Sequence, residues 1–200
     1  MEMLFIRHPA PQVAAGICYG STDLPLQPDA LAGVLAQILP VLAKYPRLTP
    51  IWSSQLMRAR ELAQALAQAR QQPLYVDADL REMDFGDWEM RAWEDISRQK
   101  IDAWAANVCH YHPGGGESVL QMSWRVLSAL QRIRQAASEQ QASAAILVCH
   151  AGCMRIVLAL QQMQIQLGQD LSQEQVAQIA QTAVDWPEKI AYGQLCTVLI

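Results

Sequence analysis

Three points along the chain set a side chain suited to binding an anion directly behind a short apolar run. Arg7-His8 follows Met3-Leu4-Phe5-Ile6, and Arg58 comes soon after Pro50-Ile51-Trp52-Ser53. His150 follows Ala144-Ala145-Ile146-Leu147-Val148-Cys149 and precedes Ala151-Gly152-Cys153-Met154-Arg155. A guanidinium presents a planar fork of donors that matches a phosphate or a carboxylate. An imidazole titrates near neutrality, so it can serve as a nucleophile without a strong base beside it. A fourth group, Glu82, lies in Leu80-Arg81-Glu82-Met83-Asp84-Phe85-Gly86-Asp87-Trp88-Glu89. Phe85 and Trp88 there would surround a carboxyl with apolar surface and raise its pKa. Each feature alone has an ordinary alternative. These are an ion-paired Arg7 with a satisfied His8, an exposed Arg58, a capping His150 and a solvated Glu82.

The surrounding periodicity says which elements carry these groups. The continuous apolar runs at 3–6, 50–53 and 144–149 read as strands buried on both faces, as in a parallel sheet. Leu74-Tyr75-Val76 is a further strand, and residues 191–200 contain a last one. Leu31, Val34, Leu35, Ile38, Leu39 and Leu42 predict a helix over 29–44, ended or kinked at Pro40. Ser54 is expected to cap a helix over 55–71, which puts Arg58 in the first turn. A cation there is opposed by the helix dipole unless an anion sits at that end. Helices are also expected over about 91–106, 117–137 and 152–163, with the Gln-rich stretch 161–182 partly helical. Gly152 is expected to permit a tight turn after His150, and Pro113-Gly114-Gly115-Gly116 is the strongest breaker. Strands alternating with helices make an α/β fold with a mostly parallel sheet, which binds ligands beyond its strand ends.

Composition narrows the class. The chain has 200 residues, 52% of them hydrophobic and 17% charged, against about 25% charged in a typical domain. That suits one domain over 1–200 with a sizeable core. No apolar stretch approaches the roughly 18 residues a membrane helix needs. A net charge of −4 argues against a nucleic-acid partner held by phosphate contacts. The five cysteines show no zinc-ligand spacing, and His110 and His112 lack a third ligand, so neither a metal nor any other cofactor is expected. The odd cysteine count and the absence of a signal-peptide pattern fit a cytoplasmic protein. The reading leaves room for a homodimer.

Taken together and in order, these motifs resemble the histidine phosphatase superfamily, in its phosphoglycerate-mutase-like branch. The resemblance runs from Leu4-Phe5-Ile6-Arg7-His8 through Asp23-Leu24-Pro25-Leu26, Ser54-Gln55-Leu56-Met57-Arg58-Ala59 and the Glu82 segment. It ends with Gly116-Glu117-Ser118 and His150 to Arg155. It implies a three-layer αβα sandwich and a metal-independent phosphomonoester hydrolase acting on a small phosphate ester. His8 would be the phosphorylated nucleophile and Glu82 the general acid. Arg7, Arg58 and His150 would bind phosphate, and Gly20, Ser21, Gly116, Glu117 and Ser118 would line the mouth.

The sequence departs from the family pattern at several places. Pro9 replaces the usual Gly after Arg-His, as in a subgroup that also carries Cys-Tyr-Gly, here Cys18-Tyr19-Gly20. Leu62-Ala63 replaces Thr-Ala, and Met90 replaces the Gly after Trp-Glu. The short chain favours a phosphatase over a phosphoglycerate mutase. The Phe85 to Trp88 wording with Trp93 resembles the α-ribazole phosphatases of cobalamin biosynthesis. Trp88, Trp93 and Trp104 are equally suited to stacking on a substrate ring or to the core. The alternatives are a mutase-type phosphotransferase and a catalytically weak phospho-ligand-binding domain.

Overall fold

A computed structural model describes residues 1–167 and 170–200. Gly168 and Gln169, within the Gln-rich stretch, lie outside the described residues. Four strands run parallel: β1 (Glu2–Arg7), β2 (Ile51–Ser53), β3 (Leu74–Val76) and β4 (Ala144–Cys149). A fifth, β5 (Leu195–Leu199), pairs antiparallel with β1. The sheet order is β3-β2-β4-β1-β5. Arg7 stands opposite Cys149, and Ser53 opposite Val148. The chain therefore leaves the neighbouring central strands β2, β4 and β1 at the same, C-terminal, end of the sheet, which brings His8, Ser54 and His150 together.

Alternation along the strands divides the core in two. Leu4, Ile6, Ile146 and Val148 face α1 (Ala30–Leu42) and α2 (Met57–Arg70). Met3, Phe5, Ala145, Leu147 and Cys149 face α4 (Val119–Glu139), α5 (Ala151–Gln162) and α6 (Gln173–Val184). Every residue of β4 is buried, as its unbroken apolar run requires. The result is the expected three-layer sandwich. Among the described residues, no helix is long and apolar enough to cross a membrane.

Several local expectations are corrected. Ser54 does not cap α2, which starts at Met57 behind Leu56; the Ser54 hydroxyl instead accepts from the Leu56 N–H. Residues 91–97 are not α-helical. Trp93–Asp95 form a 3₁₀ turn, and α3 begins only at Arg98 and ends at Ala106. The first helix passes Pro40 and ends two residues later, so the proline sits in its last turn. Gly152 does not serve a left-handed turn. It is an early residue of α5, where a Cβ would collide with a Glu82 carboxylate oxygen and with Met122.

Met90 takes the left-handed conformation, φ 61°, at the place where the family pattern has glycine. A side chain there costs about 1 kcal/mol, and Met90 recovers little of it because it is half exposed, at 51%. Met90→Gly is therefore expected to stabilise the fold by about 0.5–1 kcal/mol, raising Tm by about 2 °C. Thermal denaturation checks this, and an unchanged or lowered Tm would mean that Met90 carries no such strain.

Candidate active site

His8, the first residue beyond β1, is 1% exposed. Its Nδ1 lies 2.6 Å from the carbonyl oxygen of Pro9, which can only accept, so Nδ1 carries the proton and Nε2 the lone pair. Burial pushes the pKa of His8 well below the usual imidazole value. Arg58 and then Arg7 push the same way, against the opposing effect of the Pro9 carbonyl. The imidazole is thus held neutral.

His150 is fully buried, with its ring centroid 4.9 Å from that of His8. Its Nε2 meets the Ser54 hydroxyl at 2.9 Å. A hydroxyl that donates to Nε2 leaves Nδ1–H as a donor, and Nδ1 is buried without a partner among the described residues. Burial first, then the neighbouring His8 and the Arg58, Arg125 and Arg7 guanidiniums, lowers the pKa of His150 as well.

Arg58 is fully buried rather than exposed. One terminal nitrogen donates to Thr22 O and the other to Gly20 O, both at 2.6 Å. Arg7 donates to Ile190 O at 2.5 Å and lies under the Tyr192 ring, 3.9 Å from its centroid. The Nε atoms of Arg7 and Arg58 are also buried without partners among the described residues. Tyr19 and Tyr192, whose hydroxyls meet at 2.9 Å, close over this pair of arginines.

Glu82 accepts the Met83 N–H at 3.0 Å on one oxygen and the Gly152 N–H at 3.2 Å on the other. It thus sits at the start of α5, one residue past Ala151. Arg125 holds its segment: it donates to the carbonyls of Asp79, Arg81 and Glu82 while bound to both carboxylate oxygens of Glu117.

A cavity of about 420 Å³ opens onto Arg7, Tyr19, Gly20 and Glu82. Phe85, Trp93 and Trp104 form an aromatic side of it, and Trp93 stacks on Trp104 with 5° between planes and 5.9 Å between centroids. Trp88 is buried behind them at 1% exposure. The structure brings Arg7, His8, Arg58, Glu82 and His150 together; Arg7, Gly20 and Glu82 border the cavity, whereas His8, Arg58 and His150 lie buried behind its wall. It places the remaining mouth candidates elsewhere. Ser21 gives its N–H and hydroxyl to Glu89, Glu117 pairs with Arg125, and Ser118 caps α4 through a capping box with Gln121. Gly116 packs against the Asp84 and Gly86 backbone. None of these four borders the cavity. His112 reaches the Gly116 carbonyl, and His110 is exposed.

Sequence reasoning missed Ser54 as the partner of His150, having assigned it to a cap. It also missed Tyr192, Glu89 and Arg125. Glu89 takes the Phe85 N–H, both Ser21 donors and the Thr22 hydroxyl. The only available signal was compositional: in a charge-poor chain, Arg125 interrupts the apolar face of a helix.

Adjacent strand ends and the first turn of α2 thus bring together two neutral imidazoles, the buried Arg58 and the partly buried Arg7, an anion site of the kind used in phosphoryl transfer. The chain belongs to the histidine phosphatase superfamily (branch 1), which matches residues 3–188, and it is an enzyme of the phosphatase class. It is 29% identical over 163 residues to the adenosylcobalamin/alpha-ribazole phosphatase of Escherichia coli K12, covering 80% of this chain and 78% of that one. It is 28% identical over 162 residues to a metal-independent phosphoserine phosphatase of Arabidopsis thaliana, covering 78% and 66%. The crystal structure of the alpha-ribazole phosphatase from Shigella flexneri superposes with a TM-score of 0.77 at 25% identity, over 100% of this chain and 91% of that one.

Proposed function

We propose that residues 1–200 act as one domain that hydrolyses phosphomonoesters through a phosphohistidine on His8. The observation that carries this is a set of three buried donors without partners among the described residues, Arg7 Nε, Arg58 Nε and His150 Nδ1, beside a neutral imidazole whose Nε2 is free to attack. An incoming phosphoryl group satisfies all three. His8 Nε2 forms the P–N bond as the P–O bond to the alcohol breaks, and Glu82 gives its proton to the leaving oxygen. Water then attacks phosphorus, loses its proton to Glu82, and frees His8 and inorganic phosphate. Two guanidiniums and an imidazole stabilise the charge on the equatorial oxygens, so no step calls for a metal. Five thiols, none in a disulfide, suit a reducing cytoplasm.

The apolar, aromatic side of the cavity favours an alcohol with a flat ring, and the names of the relatives point the same way. We take α-ribazole 5′-phosphate as the first ester to test. Phosphate release from it and from p-nitrophenyl phosphate is expected to persist in EDTA. An acid quench during turnover of a ³²P-labelled ester is expected to leave label on the protein, and 3-phosphoglycerate is expected not to give 2-phosphoglycerate. EDTA-sensitive hydrolysis without labelled protein would defeat the mechanism, and efficient isomerisation would favour a mutase.

A further inference from the structure

Two cations on the cavity wall have no part in the chemistry above. Arg155 and Lys189 line the same cavity as Arg7 and Glu82, and Glu82 is the only acid among the lining residues. Arg7, Arg58, Arg70 and Arg125 each have guanidinium nitrogens on carbonyl or carboxylate oxygens. Arg155 has no hydrogen bond, ion pair or ring contact with any described residue, and its Nε is buried without a partner. A buried guanidinium nitrogen left unpaired is costly, because it has lost water and gained nothing.

Its position relates it to the reaction. Ala151, Gly152, Arg155 and Ile156 form the face of α5 that borders the cavity. Gly152 donates to Glu82, and Arg155 lies three residues further on, about 4.5 Å along the helix axis. Arg155 belongs to α5, not to the strand ends that carry Arg7, His8 and His150, and it shares the cavity wall with Glu82, the group placed to meet the leaving alcohol.

We infer that Arg155, with Lys189 at the rim, forms a second oxyanion subsite. A phosphomonoester whose alcohol carries another anionic group, a carboxylate or a phosphate, a few bonds from the ester oxygen then binds more tightly than its counterpart without that group, whereas α-ribazole 5′-phosphate, which has no second anion, would use the aromatic wall alone. This rests on the reading of the cavity as a phosphatase site, and its test is chosen to stand apart from turnover.

Binding is measured calorimetrically on His8→Ala protein with two matched pairs. These are 3-phosphoglycerate against glycerol 3-phosphate, and adenosine 3′,5′-bisphosphate against adenosine 5′-phosphate. The member with the extra anion is expected to bind at least about tenfold more tightly in one pair, and that pair identifies the anion. Adding Arg155→Ala is expected to bring the ratio within about twofold, and Arg155→Lys to leave an intermediate ratio. Ratios near one in both pairs, or a preference that survives Arg155→Ala, would overturn the subsite. An Arg155-dependent preference in a protein whose parent hydrolyses none of these esters, nor p-nitrophenyl phosphate, would uphold the subsite and overturn the phosphatase reading instead.

Discussion

His8→Ala is expected to lower kcat/KM for p-nitrophenyl phosphate by about 10⁴-fold or more, the scale of loss when a covalent nucleophile is removed. Among the described residues the side chain's one hydrogen bond is to the adjacent Pro9 carbonyl, so the variant should still fold. Substantial retained activity would remove His8 from the mechanism. The wild type adds an independent readout through pH. Attack requires the neutral imidazole, and His8 titrates well below its usual range because of burial, Arg58 and Arg7. A lowered pKa keeps the nucleophile deprotonated to lower pH. The acid-side fall of kcat/KM should therefore come below about pH 6.5, the midpoint of an unperturbed histidine. A fall centred at or above that pH would contradict the burial of the reacting ring.

Glu82→Gln should reveal the proton donor through the leaving group rather than through the overall rate. Gln keeps the shape of Glu but has no acidic proton. An alkyl leaving group needs protonation as the P–O bond breaks, so such esters should lose about 10²–10⁴-fold in kcat/KM. p-Nitrophenolate leaves readily without a proton, and its ester should lose about tenfold at most. The substitution also sets an amide NH₂ against the Met83 or Gly152 N–H, which costs some positioning for every substrate. The ratio between the two esters is thus the informative quantity, and equal losses would assign Glu82 to positioning alone.

Much of this arrangement was legible in the sequence because buried parallel strands write their boundaries plainly. The runs at 74–76 and 144–149 became β3 and β4 without a shift, and Arg7, His8 and His150, directly behind the runs at 3–6 and 144–149, came together in the candidate site. Roles that depend on a partner across space were not legible. Ser54 has the chemistry of a helix cap and the position of one, yet its hydroxyl belongs to His150 on another strand end. Gly152 reads as a turn residue, but its lack of a side chain makes room for Glu82, which is distant in sequence. Glu117 and Ser118 read as mouth residues, but Arg125 claims the first and the α4 N-terminus the second. Trp93 and Trp104 fit a single amphipathic helix by spacing, whereas the chain breaks between them and stacks the two rings. Periodicity reports which face is buried, but not what that face meets.

Glu89 holds Ser21, Thr22 and Phe85 through one carboxylate, and Arg58 in turn grips the Gly20 and Thr22 carbonyls. The loop that covers the candidate phosphate pocket and the loop that carries Glu82 are therefore energetically one object, although the chain visits them far apart. Substitutions at Thr22 and at Phe85 share a partner, so their costs will not sum as those of independent sites do. Adaptation to a new leaving group cannot remodel one rim of the cavity alone. Tolerated changes must arrive in compensating sets drawn from both segments, which makes this clamp a source of epistasis in how the site can evolve.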